Sequence, residues 1–105
     1  MNNERLQQLL EFYKEEPNDP FNIYCLANEY KETDPETAIN YYEILLDKHP
    51  DYLPPYYHLA YIYIDANRIN LAENILTNGI RLAIAQGDQL ALRELKNLEN
   101  NLLDY

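Results

Sequence analysis

The chain has 105 residues, enough for one domain with a helical core but not for two independent ones. Eight Lys and Arg stand against 18 Asp and Glu, a formal net charge of −10, and a surface of that sign repels phosphate backbones and anionic lipid, so nucleic acid and membrane are excluded as expected partners. Two glycines, almost no valine or threonine, and abundant Leu, Ala, Glu, Asn and Tyr point to an all-α chain.

A first helix is expected from about Asn3, as N-cap, to Glu16, with Leu6, Leu9, Leu10 and Tyr13 on one face and Pro17 ending it. The second runs from Pro20 or Phe21 to about Glu32, and Asp34-Pro35-Glu36 supplies an N-cap and an N1 proline for a third, to about Lys48. Pro50, Pro54 and Pro55 punctuate the crossing to a fourth helix, about Pro55 to Ala66, and a fifth from Arg68 or Ile69 to Gln86, stopped by Gly87. Asp88 then caps a sixth to about Leu103, apolar at Ala91, Leu95, Leu98 and Leu102 and polar at Arg93, Glu94, Lys96, Asn97, Asn100 and Asn101. Residues 1–52 carry 12 acidic and 4 basic side chains (net −8) and residues 53–105 carry 6 and 4 (net −2), so the acidic pole is N-terminal. The start, Met1 to Leu6, lacks a basic stretch followed by an apolar one, and no window reaches the length of a membrane span; a cytoplasmic location is the expectation.

Helices two and four say the same thing 33 residues apart. At that offset Leu26 matches Leu59, Ala27 matches Ala60, Tyr30 matches Tyr63 and Pro17 matches Pro50, while Ala38 and Ala72 pair at 34. Self-similarity of this period marks stacked helical repeats. The pattern Leu26-Ala27-x-x-Tyr30, Ala38-x-x-x-Tyr42, Pro50, and again Tyr56, Leu59-Ala60-x-x-Tyr63, Ala72-x-x-x-Leu76, resembles the tetratricopeptide repeat over roughly residues 17–86. Departures are Ile23 in place of the usual tryptophan, Ala27 and Ala60 in place of glycine, Leu76 in place of an aromatic, Ile84 in place of the closing proline, and an inner turn one residue short in the first repeat.

The resemblance implies a right-handed superhelical stack of antiparallel helix hairpins, an α-solenoid of about six helices forming a single domain over 1–105. Its expected parts are an N-terminal capping helix (1–17), repeat one (18–52), repeat two (53–86) and a C-terminal capping helix (87–105). Shifted by 33, helix one lands on the second helix of a repeat with Arg5 at the place of Ala38, and a charge is tolerable there only where the partner helix is missing. Ala27, Ala38, Ala60 and Ala72 stand where hairpin helices cross closely, with Tyr30, Tyr42 and Tyr63 filling adjacent core.

No catalytic constellation stands out. His49 beside Pro50 reads as a helix-end residue, and His58, near Tyr57 and Tyr61, reads equally as a groove contact or a passive surface residue. Two histidines without a cysteine cluster or His-x-x-x-His spacing do not make a metal site. Gly79 and Gly87 alone make no phosphate loop, and no cofactor is expected. Cys25, lone and on the apolar rhythm of a helix, reads as a small buried or half-buried filler. Glu15-Glu16 and Glu4 to Glu11 read as solvated faces.

In tetratricopeptide arrays the first helix of each repeat lines a concave face, and the resemblance maps that face onto Phe21, Tyr24, Asn28, Lys31 and Glu32, then Tyr57, His58, Tyr61, Ile64 and Asp65. The expected partner-binding residues are Tyr24, Asn28, Lys31, Tyr57, His58, Tyr61, Ile64 and Asp65, against the alternative that Tyr24 and Tyr57 merely pack. Eleven tyrosines and no tryptophan suit a peptide groove, because tyrosine offers apolar area and a hydroxyl at low ordering cost. Asn28 matches one position of the carboxylate clamp found in chaperone-tail binders, but Tyr24, Tyr57 and His58 stand at others, which disfavours that ligand. The expected function is a non-enzymatic module binding a protein or peptide segment, basic with apolar anchors. Alternatives are a self-associating homodimeric scaffold and a small acidic chaperone.

Overall fold

Proline and aspartate set most of the helix starts. The computed structural model describes residues 3–102, the side chain of Asn3 excepted, and among them finds six helices and no strand: α1 (Asn3–Glu15), α2 (Pro20–Tyr30), α3 (Pro35–Lys48), α4 (Pro54–Asp65), α5 (Ile69–Gln86) and α6 (Gln89–Leu102). This is the expected all-α helical repeat fold, and it divides into two units, Met1–Tyr52 and Leu53–Tyr105.

In the first unit, α1 already includes Asn3, which is a helical residue and not the N-cap expected there. Asp19 caps α2, its carboxylate accepting from the Phe21 N–H at 2.9 Å, and Pro20 takes the first helical position, where a missing N–H costs nothing. Asp34 does the same for α3, accepting from the Thr37 N–H at 3.3 Å and the Thr37 hydroxyl at 2.7 Å. α2 stops at Tyr30, two residues short of the expected Glu32, because the Tyr30 carbonyl accepts from the N–H groups of Thr33 and Asp34 in a tight turn. Between the three helices lie Ile23, Leu26, Ala27, Ala38, Ile39, Tyr42 and Leu45, all buried. Each Leu or Ile so buried contributes roughly 1.5–3 kcal/mol. α1 packs on α2 with its Leu6, Leu9, Leu10 and Tyr13 face half-buried and its other side in water. Arg5 points outward and reaches Glu29 of α2 at 3.2 Å.

In the second unit α4 sits one residue earlier than expected, beginning at Pro54 and ending at Asp65. Both prolines fall in its first turn, where the missing N–H groups have no intrahelical acceptor to lose. Its end is closed by Asn67, the one non-glycine among the described residues with positive φ (60°), and by the Arg68 N–H donating to the Tyr63 carbonyl at 2.7 Å. That bond explains the register change between the repeats. In repeat one the Tyr30 carbonyl is closed four residues on, by Asp34; in repeat two the Tyr63 carbonyl is closed five residues on, by Arg68, and the extra residue is accommodated by left-handed Asn67.

α5 ends at Gly87 in the left-handed conformation (φ 69°), with the Asp88 N–H donating to the Ala83 carbonyl at 3.0 Å. Asp88 caps α6 through the Ala91 N–H at 3.0 Å. α6 buries Leu95, Leu98 and Leu102 against α5 and α4 and turns Arg93, Glu94, Lys96, Asn97, Asn100 and Asn101 to water. Leu103, its expected last residue, lies outside the described residues. Leu59, Ala60, Tyr63, Ala72, Leu76 and Ala83 complete the core. At Gly79 α4 and α5 approach closely, since a Cβ added there would lie 2.9 Å from the Tyr56 Cβ.

Candidate partner-binding faces

The face expected on repeat one is largely engaged within its own unit. Tyr24 is half-buried, its ring edge-on to Tyr52 at a centroid distance of 5.9 Å and 68°. Burial raises the Tyr52 hydroxyl above the usual tyrosine range, with Tyr24, Cys25 and Asp19 adding to it. Asn28 accepts a hydrogen bond through its side-chain carbonyl from the Tyr42 hydroxyl. Tyr42 is fully buried, and that burial, more than nearby Tyr24, pushes its ionisation far up. Lys31 is half-buried in the turn after α2 rather than within a helix. Phe21 and Glu32 are exposed.

On repeat two the expected residues share α4. Tyr57 and Tyr61, one helical turn apart, hold their rings within 24° of parallel at 6.5 Å, and His58 stands edge-on to Tyr57 at 5.7 Å and 86°. Tyr57, His58 and Ile64 are half-buried, Asp65 is exposed, and Tyr61 is 54% exposed. Tyr57, Tyr61 and Ile64 or Asp65 follow at helical spacing, so an aromatic pair is followed along the helix by a carboxylate.

Sequence reasoning missed a cluster on the first unit. The Tyr41 ring stacks on Tyr30 at 5.8 Å and 12° and meets Tyr13 edge-on at 5.8 Å and 89°. Tyr30, expected in the core, is only half-buried. Burial, then Tyr30 and Tyr13, raises the Tyr41 hydroxyl. The available signal was the Tyr41-Tyr42 doublet, which turns one ring inward and the next to the flank.

Other candidates have structural roles. The His49 Nε2 lies 2.8 Å from the Asn18 carbonyl and the Lys48 ammonium donates to the Asn18 side chain at 3.3 Å, tying the end of α3 to the α1–α2 turn. Cys25 is half-buried and burial raises its thiol, with Arg5 pulling the other way and Asp19 adding, which leaves it less nucleophilic than a free cysteine. No group of three or more His, Cys, Asp or Glu among the described residues could hold a metal ion, and none of the helices is long and apolar enough to cross a membrane.

A repeated helix hairpin with these small-residue crossings has a counterpart among known families. The tetratricopeptide repeat model matches residues 29–93, and the chain belongs to that family. It is similar to a tetratricopeptide repeat domain protein of Salinibacter ruber. In the crystal structure the identity is 33%, the match covers 82% of this chain and 97% of the other, and the TM-score is 0.77. In a solution structure of a protein so described from the same organism, the identity is 34%, the coverage 83% and 89%, and the TM-score 0.76. No curated protein matches the chain. Membership makes the fold one that characteristically serves as a protein-interaction scaffold rather than an enzyme.

Proposed function

We propose that the chain, one domain with capping helices α1 and α6 flanking two repeats, is a non-enzymatic module. It binds a peptide or protein segment on the tyrosine-bearing first helices of its repeats. The observation that carries this is the α4 face. Tyr61 leaves more than half its surface in water beside the near-parallel ring of Tyr57, and large aromatics kept at the surface with a polar hydroxyl are what peptide-binding faces use. His58, Ile64 and Asp65 extend that face, and Tyr24, Asn28 and Lys31 are its counterparts on α2. The net charge of −10 favours segments with Lys or Arg beside aromatic or aliphatic anchors, and disfavours acidic tails. A small face with few fully desolvated anchors corresponds to micromolar dissociation constants, about −8 kcal/mol.

The test is capture of partners from native extract by the full chain and by Tyr57→Ala/Tyr61→Ala, followed by affinity measurement on the recovered segment. A loss of more than tenfold with helicity retained supports the reading; undiminished binding, or an acidic ligand, refutes it. A second reading, self-association, rests on Ile84 and Leu90, which are 61% and 60% exposed on either side of the α5–α6 turn. Light scattering decides it: a monomeric mass at about 100 µM removes it.

A further inference from the structure

Asn78 is the only asparagine in the chain that is followed by glycine, and the pair lies in the interior of α5 with Asn78 exposed and Gly79 buried. An asparagine followed by another residue carries an electrophile and a nucleophile together: its side-chain amide carbon and the next backbone nitrogen can close a five-membered ring. Glycine hinders that closure least, because it has no Cβ and its backbone adopts the geometry the ring requires. The helix holds the two atoms apart. In α5 the Gly79 N–H belongs to the helical hydrogen-bond ladder, and a helical ψ at Asn78 keeps its side-chain carbon out of line with that nitrogen.

We propose that Asn78 is a self-modification site gated by opening of the α4–α5 crossing. When α5 opens locally, the Gly79 nitrogen gives up its proton and attacks the Asn78 Cγ; the Cγ–Nδ2 bond breaks, ammonia leaves and a succinimide remains. Water then opens either ring carbonyl and returns aspartate or isoaspartate. No oxidant, enzyme or cofactor enters. The aspartate product keeps the original backbone and an exposed side chain, so α5 re-forms around it. The isoaspartate product routes the main chain through the former side chain and inserts a methylene just before Gly79. α5 tolerates a shift poorly there, since even a Cβ placed on Gly79 would lie 2.9 Å from the Tyr56 Cβ and 3.2 Å from its Cγ. Close-packed contacts do not absorb an added methylene without moving the backbone. Once isoaspartate forms, α4 and α5 do not regain their crossing. The site needs no partner and is independent of the tyrosine-bearing face.

The test incubates the full chain at mildly alkaline pH, without urea and at urea concentrations below and above its unfolding midpoint, and follows each asparagine by peptide mass spectrometry. Without urea, Asn78 should convert no faster than Asn18, which lies exposed in the turn before α2. It should also convert at least about a hundredfold more slowly than in a synthetic peptide of residues 74–82, because the reaction waits on local opening. Its rate should rise with urea, and above the midpoint Asn78 should lead every other asparagine. The isoaspartyl chain, purified and refolded, should melt below the parent, whereas Asn78→Asp should melt with it. Conversion of Asn78 at the peptide's rate without urea overturns the proposal, as does a rate that urea leaves unchanged. An isoaspartyl chain with the parent's Tm overturns the role given to the crossing.

Discussion

Gly79 offers the sharpest quantitative test of the helix packing. In the interior of α5 a glycine costs helix stability, so alanine there should gain about 1 kcal/mol by propensity alone. The structure opposes that gain. The new methyl would lie 2.9 Å from the Tyr56 Cβ, 3.2 Å from its Cγ and 3.3 Å from its Cδ1. A rotamer change could move the ring atoms, but the Tyr56 Cβ is fixed to the backbone of α4. Reaching the ~3.5 Å at which carbon pairs are at their optimum requires the helices to part by roughly 0.6 Å. Leu76 and Ala83, buried one turn to either side on α5, would lose contact as they part. Overpacking of this kind costs about 1–3 kcal/mol, enough to outweigh the propensity gain. The expected net effect of Gly79→Ala is a destabilisation of about 1 kcal/mol, or a Tm lower by about 4–8 °C for a chain near this size. The control is Asn78→Ala, at the exposed neighbouring position, which should leave Tm unchanged or slightly raised. Thermal unfolding followed by circular dichroism measures both. If Gly79→Ala raises Tm as much as the control does, the α4–α5 crossing is not where the structure puts it.

The hairpin crossings at Ala27 and Ala60 should respond in the same way: Ala27→Leu and Ala60→Leu should each cost about 1–3 kcal/mol in denaturant unfolding, whereas Arg5→Leu, losing an ion pair whose Arg5 end is exposed and whose Glu29 end is half-buried, should cost less, about 1 kcal/mol. Removal of residues 88–105 uncovers the side of α5 that carries Ile75, Leu76, Ile80 and Leu82, so aggregation or a much lower Tm is expected in light scattering and calorimetry; a truncated chain as stable and monomeric as the parent would make α6 an appendage. Tyr42 sets an alkaline limit: its ionisation is raised by burial, so its neutral form is favoured by folding, its contribution is complete below about pH 10 and is lost as pH rises above that, by up to about 1.4 kcal/mol per pH unit. Tyr42→Phe should therefore cost about 1 kcal/mol near neutrality, through the lost bond to Asn28, yet flatten the fall of Tm between about pH 10 and 11; equal slopes for the two proteins would refute the assignment.

The helix starts were legible because their chemistry is local. Asp19-Pro20, Asp34-Pro35, Pro54-Pro55 and Asp88 each state a cap or a first turn within two residues, and the matching helices begin there. The small crossings were legible because the repeat sounds them twice, as Ala27 with Ala60 and Ala38 with Ala72. Gly79 escaped notice because its meaning lies across the helix pair. At the 34-residue offset its equivalent is Leu45, and at 33 the equivalent of Tyr56 is Ile23. Repeat one places two medium side chains at these positions, both fully buried, where repeat two places a tyrosine over no side chain at all. The volumes compensate in pairs, and reading one position at a time sees only two unrelated departures. Asn67 was hidden for a different reason, since asparagine in an exposed turn is ordinary and only the extra residue before Arg68 calls for positive φ there.

The candidate site was less legible because tyrosine serves two purposes in this chain. Tyr42, Tyr56 and Tyr63 are buried, Tyr13, Tyr30 and Tyr41 hold one another, and Tyr24 lies against Tyr52. Composition counts all of these toward a binding surface, but a ring already packed on its own unit has little area left to desolvate against a partner. Tyr61, more than half exposed, and Tyr57 beside it retain that area. A consequence separates the two uses by experiment. Iodination or nitration of the folded chain under limiting reagent should reach Tyr61 first and Tyr42 and Tyr63 last, and a bound partner should protect Tyr61 while leaving the Tyr13–Tyr41 cluster as reactive as before. If protection falls on Tyr13 and Tyr41 instead, the working surface is the flank of the first unit and the α4 face is packing.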